Sequence, residues 1–185
     1  MTDDLTGKRI ALLFTEGVEQ VELTTPRDAL TDAGADVVLL APSAEPVQAV
    51  NGDIHPGDTF KPDDTVADAD ADTFDALVLP GGTANPDQLR VDEDALAFIT
   101  AIAEAGKPVA AICHGPWTLV ETGLVKSKTL TSFPSIRTDV ENAGGTWVDQ
   151  ESVTCSEEGF TLVTSRKPDD LDAFTAAAIE AFAAS

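Results

Sequence analysis

The stretch Lys107 to Gly123, KPVAAICHGPWTLVETG, decides the fold. Pro108 to Cys113, PVAAIC, is apolar without alternation, as expected of a parallel strand covered by helices on both faces. The run stops at Cys113, and a helix is signalled almost at once by Gly115-Pro116, with proline at a first helical position. A strand that turns sharply into a helix is the outline of a nucleophile elbow, which holds one side chain out at the carboxyl edge of a sheet. The turn needs small neighbours, and Ala111 and Gly115 supply them. The helix N-terminus, with its free N–H groups and positive dipole end, favours a thiolate at Cys113. A buried, inert cysteine is the competing expectation, since free cysteine is among the most buried residue types; the adjoining His114 and the strand–turn–helix outline speak against it.

Outward from this stretch the same alternation repeats. Lys8 to Phe14 predicts a first strand, and Asp36 to Ala41, Asp75 to Pro80 and Thr129 to Ser132 predict further ones. Helices are expected over Glu19 to Ala33, closed by Gly34, over Asp92 to Ala105, His114 to Thr122 and Ser135 to Ala143, and over the alanine-rich Pro168 to Ala183. Strands alternating with helices predict one doubly wound α/β domain over residues 1–185, flavodoxin-like, with a mostly parallel sheet covered by helices on both faces and the elbow after a central strand. Between Val47 and Thr73 the pattern changes to a β-hairpin excursion and an acidic surface loop. Thr146 to Val163 supplies two or three short strands around Glu157-Glu158-Gly159.

Composition limits the possible partners. The 185 residues carry 33 Asp+Glu against 11 Lys+Arg, a formal charge of −22, while 43% are hydrophobic, enough for a real core. Such a charge repels phosphate backbones and anionic lipid heads, and no cluster of Lys and Arg opposes it locally, so neither nucleic acid nor membrane is an expected partner. No run approaches the roughly 18 apolar residues of a membrane span, and the N-terminal segment Met1 to Thr6 carries acids in place of a basic, apolar signal; a cytoplasmic location is expected. Cys113 and Cys155 do not form a metal or disulfide spacing, so no metal and no organic cofactor is implied. The acid excess, with only six lysines, suggests a salt-rich cytoplasm, which predicts steep loss of stability as KCl is withdrawn.

Four segments together carry a resemblance: EGVEQVELTTP (Glu16 to Pro26), FDALVLPGG with NPDQLR (Phe74 to Arg90), KPVAAICHGPW (Lys107 to Trp117) and TSFPSIRTDVENAGGTWVD (Thr131 to Asp149). SRKPDD (Ser165 to Asp170) adds a fifth. The chain resembles the PfpI family of intracellular proteases and deglycases, within the class I glutamine amidotransferase-like superfold. The resemblance implies Cys113 as nucleophile, His114 as its acid or base partner, and Asp87 as the acid that orients His114 from a neighbouring subunit of a homo-oligomer. For Asp87, a helix N-cap is the alternative. The resemblance further implies Glu22 as the acid beside the cysteine, with Glu19 one helical turn earlier on the same face, and an oxyanion hole from the Gly82 and His114 N–H groups. Gly81 and Gly82, directly after a strand, give the backbone freedom to point such groups into the crevice. His55 is expected at the surface or rim, Cys155 to be structural, and Trp117 to be a core aromatic or to line the pocket.

A thiolate with an oxyanion hole can attack an aldehyde, an acyl carbon or a peptide carbonyl. Three functions follow: a deglycase or glyoxalase acting on a small aldehyde or a glycated protein, a cysteine peptidase, and a non-catalytic redox sensor or holdase whose thiolate is oxidised. The first is preferred, because nothing in the sequence predicts a groove for extended peptide.

Overall fold

The computed structural model describes residues 4–185; residues 1–3, part of the acidic N-terminal segment, lie outside the described residues. In chain order the elements are β1 Arg9–Leu13, α1 Gln20–Asp32, β2 Asp36–Ala41, β3 Val47–Asn51, β4 His55–Phe60, β5 Asp64–Thr65, β6 Ala76–Leu79, α2 Ala84–Leu89, α3 Glu93–Glu104, β7 Val109–Ile112, α4 Pro116–Glu121, β8 Thr129–Leu130, α5 Arg137–Asn142, β9 Thr146–Trp147, β10 Ser152–Cys155, β11 Leu162–Ser165 and α6 Leu171–Ala183.

The central sheet has seven strands in the order β10-β11-β7-β6-β1-β2-β5. Every pairing is parallel except the edge hairpin of β10 and β11. The core order β2-β1-β6-β7-β11 is the flavodoxin-like 2-1-3-4-5 arrangement, whose direction of winding reverses between β1 and β6. Ligand crevices open beyond the carboxyl ends of the strands at such a switch point. The loops after β1, β6 and β7 all end there, which is why residues 16–22, 80–85 and 113–116 meet.

Apolar runs on these strands reflect burial on two faces. Ile10 and Leu12 of β1 join Val78, Ile112, Leu23 and Phe174 beneath α1 and α6. Ala11 and Leu13 join Leu77, Ala111, Ile99 and Leu119 beneath α3 and α4. Asp92 caps α3 by accepting the Ala95 N–H at 2.9 Å, a favoured role for aspartate.

Three expectations change. Thr129 to Ser132 does not join the central sheet: β8 pairs in parallel with β9 alone, and the Thr131 N–H goes to the Thr164 side chain instead of to a strand backbone. The acidic stretch after the hairpin contributes β5 to the sheet edge, anchored where Asp63 accepts the Leu39 N–H. Residues 84–89, read only as motif, form α2. The hairpin of β3 and β4 is present as expected and is antiparallel, apart from the main sheet.

Candidate active site

Cys113 follows β7 with φ +61°, left-handed backbone that a side chain other than glycine rarely adopts. Its N–H donates to Ser165 O of β11 and its carbonyl accepts from the Phe133 N–H, so both neighbouring segments hold the strained residue in place. The turn requires Gly115, where a Cβ would stand 2.5 Å from Leu79 O. Adjacent side chains ordinarily diverge, but this backbone brings Cys113 Sγ to 3.2 Å from His114 Nδ1. The other ring nitrogen, Nε2, lies 3.0 Å from Ser135 Oγ, and Phe133 stacks on the imidazole at 4.7 Å between centroids.

Glu22 is fully buried on α1. Its Oε2 accepts the Gly81 N–H at 2.8 Å, and Oε1 has no protein partner. Burial is the main reason that its carboxyl pKa rises to about 8, so the group is mostly protonated at neutral pH. Gly81 is wedged between this carboxyl and the cysteine: a Cβ there would fall 2.5 Å from Glu22 Oε2 and 2.6 Å from Cys113 Cβ. Gly82 has φ +78° and no room for a side chain against Gly17 O.

Opposing influences act on the Cys113 thiol. Burial, and then the charge of Glu22 when ionised, push the Cys113 thiol up, while the Gly82 and His114 backbone N–H groups facing it pull it down. Burial thus works against the ionisation that the N-terminus of the short helix α4 favours. With Glu22 holding its proton, its charge no longer opposes ionisation, so thiol and carboxyl act as one coupled pair. His114 is pushed down by burial, against the opposing charge of Asp53, and is neutral.

Cys113, His114, Glu22, Gly81 and Gly82 thus come together at the switch point. Around them lies a recess of about 200 Å³, walled by Glu19, Gly52, Asp53, Phe133 and Pro168. Glu19 walls the recess from the N-cap of α1, and its carboxylate accepts the Gly52 and Asp53 N–H groups of the hairpin at 3.0 Å each. Asp87 is exposed in the first turn of α2. The cap position belongs to Thr83, so the capping alternative does not hold. Among the described residues His114 Nε2 meets Ser135 and not Asp87. His55 is exposed on β4. Trp117 is half-buried on α4, donating from Nε1 to Asp139.

Sequence reasoning missed Asp53, Ser135, Phe133 and Pro168. Ser135 and Phe133 lie inside the quoted motif TSFPSIRTDVENAGGTWVD, and Pro168 inside SRKPDD. Arg166 of that last motif makes a two-pronged bond to Asp170, at 2.8 and 2.9 Å, which fixes the segment carrying Pro168. Among the described residues no helix is long and apolar enough to cross a membrane.

Known proteins resemble the chain over most of its length. The chain is 42% identical over 168 residues to YraA of Bacillus subtilis, provisionally named a cysteine protease, covering 91% of this chain and 94% of that one. It is 38% identical over 174 residues to protein/nucleic acid deglycase 2 of Escherichia coli, covering 94% and 96%. The DJ-1/ThiJ/PfpI-like and ferritin-like two-domain protein of Anabaena variabilis superposes with a TM-score of 0.85 at 36% identity, over 94% of this chain and 47% of that one. Drosophila melanogaster DJ-1beta gives 0.83 at 28% identity, over 96% and 91%. A model of the DJ-1/PfpI family matches residues 8–181, and the chain belongs to that family.

Proposed function

We propose that the chain is a cysteine-dependent deglycase or glyoxalase that acts on methylglyoxal or on early glycation adducts. The observation that carries this is the placing of Cys113 Sγ between His114 Nδ1 and two backbone N–H groups, at the floor of a recess of about 200 Å³. That volume is below the roughly 300–1,000 Å³ of sites for drug-sized ligands and suits a three-carbon aldehyde.

The chemistry follows from the protons in the resting site. His114 Nδ1 takes the thiol proton as Sγ attacks the aldehyde carbon, and the carbonyl electron pair moves onto oxygen. The Gly82 and His114 N–H groups receive that oxyanion; each such donor is worth roughly 2.7–4 kcal/mol where charge develops. Return of the proton to oxygen gives a neutral hemithioacetal. Its isomerisation moves the proton on the former aldehyde carbon to the neighbouring carbon, and the hydroxyl proton to the neighbouring oxygen, giving a lactoyl thioester. Neutral His114 and protonated Glu22 are the base and acid for these transfers. Water then attacks the thioester carbonyl, the C–S bond breaks, the thiol regains its proton and lactate leaves. In a glycation adduct the amine is the additional leaving group.

The test is lactate formation from methylglyoxal by the protein and by Cys113→Ala, alongside release from a fluorogenic peptide. Lactate from the wild type alone is the expected result. Equal lactate from both proteins removes Cys113 as nucleophile, and peptide release without lactate replaces this function with a peptidase.

A further inference from the structure

An oxyanion hole accelerates a reaction only if its donors already point where the charge will form. Here one of the two donors is the N–H of Gly82, in a Gly81-Gly82 pair, the most permissive backbone a chain can offer. Something must hold it. On the upstream side the peptides are pinned four times: the Gly81 N–H donates to Glu22 at 2.8 Å, Asn85 Nδ2 donates to Pro80 O and Gly81 O at 3.0 Å each, and the Glu19 N–H donates to Gly81 O at 3.4 Å. On the downstream side the Thr83 N–H donates to Asp53 Oδ1 at 2.6 Å.

Asp53 comes from a distant part of the chain, the turn joining β3 to β4, and its conformation is costly. It has φ +66°, tolerated by aspartate better than by most residues. The hairpin is two-stranded and lies apart from the central sheet, an arrangement that is marginal unless tied down. Backbone bonds from residues 17–18 and the Gln20 side chain tie its strands, and the turn itself is tied by Glu19, only 7% exposed, whose two carboxylate oxygens take the N–H groups of Gly52 and Asp53. The order of contacts is therefore Glu19 carboxylate, hairpin turn, Asp53 carboxylate, Thr83 N–H, and next to it the Gly82 peptide.

We infer that Asp53 is a positioning residue: through the Thr83 N–H it fixes the Gly82 peptide so that its N–H stays aimed at Cys113. Glu19 serves the same end by holding the turn that carries Asp53, a different task from sharing chemistry with Glu22. The inference rests on the proposed oxyanion hole for its effect on rate, but the clamp is a property of the folded chain and is read separately.

The experiment compares Asp53→Ala, Asp53→Asn and Asp53→Gly by two readouts. Asparagine keeps an oxygen acceptor and tolerates positive φ; glycine keeps the turn and removes the acceptor, and so replaces alanine if Asp53→Ala does not fold. The first readout is amide hydrogen exchange of residues 80–85 in the free protein. Asp53→Ala or Asp53→Gly is expected to exchange there at least tenfold faster than wild type, and Asp53→Asn to remain within twofold. The second is methylglyoxal turnover, where the glycine or alanine variant is expected to lose about tenfold in kcat with KM within twofold, and asparagine to restore kcat. Exchange at 80–85 unchanged in the glycine variant, or asparagine as impaired as glycine, overturns the clamp. Absence of turnover in the wild type overturns the proposed function instead, and exchange still decides the clamp.

Discussion

Cys113 and Cys155 are almost equally hidden, at 5% and 6% exposure, and neither is in a disulfide. Each stands at the carboxyl end of its strand or just past it. Cys155 closes β10 in a regular antiparallel pairing with Leu162, and its thiol donates a long bond to Glu157, at 4.0 Å. Cys113 instead sits at φ +61°, with an imidazole at 3.2 Å, two backbone N–H groups and a buried carboxyl around it. Burial and residue type do not separate the two cysteines. What separates them is one turn of left-handed backbone at the switch point of a doubly wound sheet, where three loops converge.

The strongest test of that contrast is to remove each thiol in turn. Cys113→Ala should lower lactate formation by on the order of 10³-fold or more, as expected for loss of a covalent nucleophile. Cys155→Ala should leave it within about twofold and show only a small fall in thermal midpoint. Equal effects on activity would break the contrast.

Glu22→Gln sharpens it next, since Cys155 has no buried carboxyl beside it. Loss of a proton donor predicts a fall of about 10²–10⁴ in kcat/KM. It also predicts a pH-dependent change in stability. The folded-state pKa of about 8 lies above the ordinary value of 4.5, so between those values the folded chain binds more protons than the unfolded one, and the wild type loses stability as pH rises. Glutamine has no such loss. Urea midpoints should show the variant gaining on wild type from pH 5 to pH 8.5, with an upper bound of roughly 4–5 kcal/mol at 1.36 kcal/mol per unit. A constant difference across that window would refute a buried, protonated Glu22.

Ser135→Ala removes the contact at His114 Nε2. The loss of one hydrogen bond, about 1 kcal/mol, predicts a fall in kcat approaching tenfold, with a shifted pH–rate profile and recovery in Ser135→Thr. Full activity would mean that stacking on Phe133 alone orients the ring. The smallest effect is expected of Asp87→Ala. The family resemblance implies that this exposed carboxylate reaches the site from a second subunit; such a contact would contribute about 0.2–1 kcal/mol, so activity should fall a few-fold without unfolding. Unchanged turnover across a wide range of protein concentration would remove Asp87 from the site.

Much of this was legible in residues 107–123. An apolar run that ends in Cys-His-Gly-Pro has few ways to fold, since the glycine and proline end the strand and start a helix. Gly81 and Gly82 were legible from their place directly after a predicted strand, and the structure leaves no space for a side chain at either position. Glu22 was legible from the motif EGVEQVELTTP. Other features were hidden because they depend on distant contacts. Thr129 to Ser132 has the composition of a sheet strand, yet Thr164 takes its backbone donor and the central sheet closes without it. Glu19 lies one turn from Glu22, but its carboxylate is taken up by a pair of hairpin N–H groups from a distant part of the chain. Asp53 and Ser135 are small polar residues in turns, the commonest setting for such residues, and no local pattern marks them.

The sequence by itself determined the alternating elements, the elbow and the identity of the cysteine that occupies it, because hydrophobic period and glycine–proline punctuation are local properties. The tertiary structure alone decided the protonation of the site and the partners that orient it. Desolvation and charge act over space and not along the chain, so Glu22 holds its proton to about pH 8 and the Cys113 thiol is raised only once the sheet and α1 close over them.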